Sequence, residues 1–172
     1  RGATGGTNNI VNGNTIPNAF NNTLFASVLV GNNQIKDYRI QNIGVSNLNL
    51  TGTPRVVIGG PHASDFAVIA QPATPILAGN NVVFQIRFTP STGGVRTAVV
   101  SIASNDSDEN PYTFTIQGTG SAPDISVIGN GLEITNGSTT PSLLNHSDFG
   151  NVNEAVGTRV RNFYITNFGG EN

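Results

Sequence analysis

The residues best placed by type and spacing to do chemistry are three carboxylates in one short segment, SNDSDENP. They are Asp106, Asp108 and Glu109. Because Ca²⁺ takes about six to eight oxygen ligands from flexible loops, this cluster is a Ca²⁺ candidate, although its spacing departs from the EF-hand pattern. The alternative is an Asx-type hairpin turn in which Asp106 holds backbone amides. We predict the turn, with no metal and no cofactor.

The other candidate catalytic groups lack partners in the sequence. His62 and His146 each stand alone, so we expect surface or loop imidazoles and not metal ligands. The absence of Cys excludes disulfides, thiol catalysis and Cys-ligated metal. No G-x-S-x-G elbow is present, and the Gly-rich segment 2–6 lacks the ending of a phosphate loop. Asp65 and Asp148 could form a glycosidase pair, but nothing around them favours it. We predict that the chain is not an enzyme.

Two further classes of residue could carry or bind sugars. Five sequons are possible glycan acceptors in a eukaryotic secreted protein and would usually stay bare in a bacterial one: Asn21, Asn49, Asn105, Asn136 and Asn145. Three aromatic residues could stack on a sugar: Phe20, Tyr164 and Phe168. The last two occupy strand-like positions, which favours core or interdomain packing. The absence of Trp weakens the carbohydrate-binding hypothesis further.

These residues are carried by segments whose apolar side chains recur at every second position, the period of a β-strand. The clearest are residues 81–88, 95–102 and 112–117, which are separated by turn-forming residues. Each has one apolar and one mostly polar face, which is typical of a sheet buried on one side. Seven large residues are expected to point inward and anchor a core: Phe84, Ile86, Phe88, Val100, Ile102, Phe114 and Ile116.

Three stretches resemble a known family. They are DFAVIA at 65–70, LAGNNVVFQIRFTPSTGGVRTAVVSIASNDSDENPYTFTIQGTG at 77–120 and FYITNFGG at 163–170. The F-x-P-x-x-x-G turn, the SND-x-D turn and the closing GTG follow in the order of the bacterial choice-of-anchor D repeat. That repeat is one of the ASPM/SPD-2/Hydin (ASH) immunoglobulin-like domains, related to the major sperm protein fold. The resemblance implies a β-sandwich of about seven strands, in tandem copies within large secreted or surface proteins of Bacteroidetes-like bacteria, without enzyme activity.

Composition restricts the partners. Charged residues are only 10% of the chain and the net charge is −2, so there is no basic surface to attract nucleic acid or anionic lipid. No apolar run is long enough to insert into a membrane as a helix. Turn signals at short intervals and the lack of any sustained helical period predict an all-β fold, a β-sandwich, which the resemblance implies to be immunoglobulin-like.

The chain also repeats itself over about the length of one such domain. Four residues recur 124 positions later, namely Ile10, Gly13, Pro17 and Phe25 as Ile134, Gly137, Pro141 and Phe149. Four more recur 125 positions later, namely Tyr38, Ile40, Asn42 and Gly44 as Phe163, Ile165, Asn167 and Gly169. We therefore predict a complete domain at 1–121 and the N-terminal part of a second, similar domain at 122–172.

These features favour a non-catalytic structural or adhesive repeat module of an extracellular or cell-surface bacterial protein. Its expected partners are neighbouring repeats of the same chain or other surface proteins. One alternative is a carbohydrate- or ligand-binding accessory module, with a glycan as its partner. A second is a strand-exchanged filament subunit, in which a neighbouring molecule completes the segment 122–172.

Overall fold

The computed structural model describes residues 3–5, 8–155 and 157–169. The chain divides into two compact units, Arg1–Ser121 and Ala122–Asn172. Across the described ranges the regular structure consists of β-strands, apart from one turn of 3-10 helix at Ala63–Asp65. The all-β prediction is therefore confirmed. No helix in this described part is long and apolar enough to cross a membrane.

The first unit contains two sheets. In chain order its strands are β1 Ala3–Gly5, β2 Asn8–Asn9, β3 Leu24–Leu29, β4 Gln34–Gln41, β5 Val56–Gly59, β6 Phe66–Ala70, β7 Asn81–Phe88, β8 Gly94–Ile102 and β9 Tyr112–Ser121. One sheet has the order β2-β1-β4-β7-β6 and the other has the order β3-β9-β8-β5. All pairs are antiparallel except β3 with β9, which are parallel. Seven strands have four residues or more, which confirms the predicted immunoglobulin-like β-sandwich.

The core lies between the two sheets and is built from the predicted inward faces. All seven residues expected to anchor it are at most 3% exposed. Aromatic rings from different strands meet there, with Tyr38 stacked on Phe84 at 5.2 Å and Phe66 on Phe88 at 4.7 Å between ring centroids. Each such residue contributes roughly 1.5–3 kcal/mol by its burial.

The segment 47–50 crosses the first unit without forming a regular strand. It makes only two isolated bridges, from Leu48 to Ile76 and from Leu50 to Ser104. Two backbone N–H groups that a ladder would need donate to side chains instead. The Leu50 N–H donates to the Thr74 hydroxyl at 2.9 Å, and the Asn49 N–H donates to Asn105 Oδ1 at 2.8 Å. A regular ladder cannot form where its donors are already used.

The second unit contains one antiparallel sheet among its described residues. Its strands are β10 Ile125–Gly129, β11 Leu132–Glu133 and β12 Phe163–Asn167, in the order β11-β10-β12. The arrangement matches β2-β1-β4 of the first unit. Gly5 lies opposite Tyr38 in the first unit, and Gly129 lies opposite Phe163 in the second. The two units therefore share strand order and register where the sequence repeats.

Candidate functional site

The predicted acidic turn connects β8 and β9, and side-chain oxygens hold its backbone. The Asn110 Oδ1 atom accepts the Ser104 N–H at 3.1 Å, and the Ser104 hydroxyl accepts the Asp106 N–H at 3.2 Å. The Asn105 Oδ1 atom accepts the Asn49 N–H at 2.8 Å and ties the turn to a neighbouring loop. Side-chain hydrogen bonds of the Asx and Ser type account for the shape of this turn.

Two of the three calcium candidates contact each other. A side-chain hydrogen bond between Asp106 and Asp108 raises the pKa of Asp106, and burial and the charges of Asp108 and Glu109 act in the same direction. The backbone N–H of Asp108 donates to the same carboxyl and opposes the shift, which is the contact expected of an Asx turn. Within the described ranges, no group of three or more His, Cys, Asp or Glu side chains is arranged to hold a metal ion.

A small pocket opens beside this turn. Asp106 and Glu109 line it together with apolar residues that include Leu48, Leu50 and Ile102. Its volume is about 110 Å³, whereas pockets for small-molecule ligands have roughly 300–1,000 Å³. The pocket can therefore hold a few water molecules or one small group, but not a ligand of ordinary size.

Asp65, one carboxylate considered for glycoside hydrolysis, is buried in an ion pair. Its Oδ2 atom lies 3.4 Å from Arg96 Nε, and the two side chains are only 3% and 14% exposed. The guanidinium group also donates to both carbonyls of the turn at 92–93. A buried carboxylate held against a half-buried guanidinium group has a structural role. Asp148 lies in the other unit, where its Oδ1 atom accepts the Gly150 N–H at 2.7 Å.

Both histidines lie in loops, and neither is part of a group of side chains that could hold a metal among the described residues. The Nδ1 atom of His62 accepts the Thr97 N–H at 3.0 Å, so that nitrogen already has a donor. His146 has a left-handed backbone, with φ of 62°. Its counterpart 124 positions earlier, Asn22, has φ of 65°. Short polar residues tolerate this conformation in tight loops, so His146 occupies a turn position of the repeat.

The loop that carries the sequons of Asn21 and Asn145 has the same hydrogen bonds in both units, a role that the sequence analysis did not predict. The Thr23 hydroxyl donates to Asn21 Oδ1 at 2.6 Å, and the Ser147 hydroxyl donates to Asn145 Oδ1 at 2.7 Å. The Asn18 N–H donates to the Thr23 hydroxyl oxygen at 2.8 Å, and the Ser142 N–H donates to the Ser147 hydroxyl oxygen at the same distance. The 124-residue offset was the available signal, because it aligns these residues directly.

The same contacts restrict the five sequons. Asn21 is buried, and Asn145 is partly buried with its Oδ1 atom engaged in the loop. The Asn105 side-chain amide donates to a backbone carbonyl at 3.3 Å. Asn49 and Asn136 are exposed. The folded chain therefore does not present all five sequons equally to a glycosylating enzyme.

The three candidate sugar-stacking aromatics are exposed. Phe20 is 74% exposed, and Tyr164 and Phe168 are 66% exposed each. Tyr164 and Phe168 therefore do not pack in a core formed by the described residues, and their packing against another domain stays a prediction.

A wider cleft lies near the start of the first unit. Its volume is about 440 Å³, and Asn12, Asn14, Val11 and Ile16 are among the residues that line it. The Oδ1 atoms of both asparagines accept backbone amides, at 2.9 Å and 3.0 Å. Among the described residues neither NH₂ group has a recorded hydrogen bond, and the side chains of Val11 and Ile16 beside them are exposed.

No protein-family model matches the chain, and no curated protein matches it. Among solved structures, a protein of unknown function from Porphyromonas gingivalis is 18% identical, with a TM-score of 0.45 over 56% of this chain and 44% of that one. The secreted serine protease VesC from Vibrio cholerae is 10% identical, with a TM-score of 0.46 over 59% and 22%. The ASH/PapD-like domain 7 of human CEP192 is 14% identical, with a TM-score of 0.37 over 58% and 80%. At these low identities and TM-scores, the fold assignment depends on the sheet topology alone and no activity is carried over.

Proposed function

We propose that this chain is a non-catalytic structural and adhesive repeat module of a large secreted or cell-surface bacterial protein. The first unit acts as a segment of a stalk and as a protein–protein interaction domain. The observation that supports this proposal is the recurrence of one sheet register and one set of loop hydrogen bonds in both units. Units that repeat one structural plan along a chain are typical of tandem arrays.

The resemblance of residues 77–120 to the choice-of-anchor D repeat supports the same function and the same extracellular location. Under this proposal the partners are neighbouring repeats and other surface proteins. The net charge of −2 offers no attraction to nucleic acid. The candidate catalytic groups also have structural partners: Asp65 contacts Arg96, and His62 accepts a backbone amide. Their engagement supports a module without catalysis.

Single-molecule extension of the full chain tests the stalk role. A sandwich with one continuous core should resist pulling and then open in one step. The length gained should be on the order of 400 Å for the Arg1–Ser121 unit, at about 3.6 Å for each extended residue. Gradual extension without a force peak would contradict a load-bearing unit.

A chelator melt tests whether calcium takes part in this function. Because hydrogen bonds hold the acidic turn, we expect the melting temperature to be unchanged after EDTA treatment and after Ca²⁺ addition. A melting temperature that falls with EDTA and returns with Ca²⁺ would instead assign a calcium site to Asp106, Asp108 and Glu109. The Asp106→Asn variant is the control, since it should abolish any such response.

A second candidate function, a carbohydrate- or ligand-binding accessory module, is favoured by the cleft of about 440 Å³. A glycan array probed with the full chain tests it. Reproducible binding that is lost in Ile16→Asp but kept in Val45→Asp would support the cleft, because Ile16 lines it and the exposed Val45 does not. No binding above background would leave the stalk proposal in place.

A further inference from the structure

The outer edge of β12 has no strand partner among the described residues. β12 pairs with β10 on one side only. The Phe168 N–H donates to the Asp124 carbonyl directly opposite it at 2.7 Å. Since hydrogen-bonded pairs alternate along an antiparallel ladder, the N–H and C=O groups of Phe163 and Ile165 point away from β10. An edge with such groups is a template for another strand.

An apolar face accompanies this edge. Directly opposite residues share a face, so Ile165 lies beside Val127 on the same side of the sheet as Phe163. Ile165 is 75% exposed and Phe163 is 39% exposed. Phe149, whose ring centroid lies 6.4 Å from that of Phe163, extends the face and is also exposed. Open backbone groups and uncovered apolar side chains therefore coincide at one place.

The first unit contains the equivalent face with its cover in place. Tyr38 and Ile40, the counterparts in β4, are only 1% and 6% exposed. β7 pairs with the outer edge of β4 and places Phe84 opposite Tyr38 and Val82 opposite Ile40. The Phe84 ring stacks on the Tyr38 ring. In this register the edge is covered by a strand with an apolar residue at every second position.

We propose that the outer edge of β12 is a docking site for one extended strand with the alternating pattern of β7. The strand adds antiparallel to β12, with an aromatic residue opposite Phe163 and a β-branched residue opposite Ile165. Phe149 takes part as Phe25 does in the first unit, where the Phe25 ring lies 5.5 Å from the Phe88 ring at the end of β7. This inference goes beyond the proposed function, because it assigns a binding edge to the second unit whether or not the first unit bears load.

The chain itself supplies the probe. A labelled peptide with the sequence of residues 79–90, GNNVVFQIRFTP, is titrated into the full chain and followed by fluorescence anisotropy and NMR. We expect saturable binding with shift changes at 163–167. Ile165→Lys should weaken binding by at least about tenfold, because it places a charge on the docking face. Tyr164→Lys is the matched control on the opposite face and should change binding by less than about twofold.

Substitutions are also made in the peptide, because these leave the protein unchanged and its folding intact. Lys at the peptide positions of Val82 and Phe84 should abolish binding to the unmodified chain. Absence of binding at about 1 mM peptide, or equal losses in both chain variants, would overturn the proposal. Concentration-dependent oligomers that form without peptide and vanish in Ile165→Lys would overturn it as well, by assigning the edge to a second copy. The single-step unfolding of the first unit is a separate readout, so failure here leaves the proposed function standing.

Discussion

Asparagine side chains shape the loops of this protein at the scale of single residues. Asn42 Oδ1 accepts the Gly44 N–H at 3.0 Å, and Asn167 Oδ1 accepts the Gly169 N–H at 2.9 Å, so the repeat conserves an Asx turn as well as a strand. Only 10% of the residues are charged, so few charged side chains are available to bond the loop backbone. The Asn-rich composition therefore reflects turn chemistry in the first place.

The ion pair of Asp65 gives a first prediction at this scale. Asp65→Ala removes the carboxylate that faces the half-buried Arg96 charge, and we expect a loss of about 2–3 kcal/mol, below the full cost of breaking a fully buried pair. Urea denaturation of the full chain measures this change. Asp37→Ala is the control, because Asp37 makes an exposed hydrogen bond to Gln85 and its loss should cost about 1 kcal/mol or less. If Asp65→Ala lowers the free energy of unfolding by no more than Asp37→Ala does, the ion pair does not stabilise the fold.

The acidic turn gives a pH prediction. The pKa of Asp106 is raised above 3.8 in the folded chain, first by its hydrogen bond to Asp108, so the folded state binds that proton more tightly than the unfolded state. Its contribution to stability is therefore fully present below pH 3.8 and is lost as the pH rises through the raised pKa. NMR titration of the Asp106 carboxyl carbon should show this raised pKa.

Asp108→Asn should move the Asp106 pKa back towards its ordinary value, because it removes the ionisable partner and its charge. Glu109→Gln is the matched control and should have the smaller effect, since the charge of Glu109 is a lesser cause of the shift. Equal effects of the two variants would show that net charge in the turn, and not the hydrogen bond, sets the pKa.

At the scale of elements, two motifs of the family resemblance pack against each other. A Cβ atom on Gly118 would collide with the Phe88 ring, and one on Gly120 would lie 2.9 Å from Pro90 Cβ and collide with the Thr92 carbonyl. The F-x-P turn after β7 and the GTG ending of β9 therefore fit together as one packing unit. Glycine is needed there because the Phe88 side chain of the other sheet and the turn between β7 and β8 occupy the space that a Cβ atom would take.

Gly118→Ala should destabilise the first unit by about 1–3 kcal/mol, because it overpacks a filled core. The measurement is urea denaturation, extended to a double-mutant cycle in which Phe88→Leu relieves part of the cost. Gly59→Ala in β5 is the control, since nothing lies within 4 Å of its added Cβ atom. Additive effects of Gly118→Ala and Phe88→Leu would contradict the contact.

At the scale of the whole molecule, the two units differ in how their strands are covered. β7, β8 and β9 carry side chains of the sandwich core, whereas the large apolar residues of β12 are exposed. Native-state hydrogen exchange of the full chain should therefore show the highest protection in β7 to β9 and much lower protection in β10 to β12. The peptide of residues 79–90 should slow exchange in β12, while equal protection of both units without peptide would contradict an uncovered sheet.

Part of the candidate site was predictable from the chain. The Asx character of the turn at 104–110 could be predicted, because Asn and Asp bond to backbone a few positions away. The hydrogen bond from the Asn49 N–H to Asn105 and the small pocket beside the turn could not be predicted, since both involve segments distant in the sequence. The exposure of Tyr164 among the described residues could not be predicted either, because a strand pattern indicates two faces but not whether either face is covered.

The sequence by itself determined the alternation of inward and outward residues in the long strands and the 124-residue repeat. Both follow from local order, because neighbouring side chains of a strand point to opposite faces. The tertiary structure alone decided that Asp65 meets Arg96 and that Phe88 requires Gly118. It also decided that the face of Phe163 is exposed among the described residues, whereas β7 covers the face of Tyr38. These outcomes depend on which strands become neighbours. Sheet order is set by the packing of the whole core, and no local pattern encodes it.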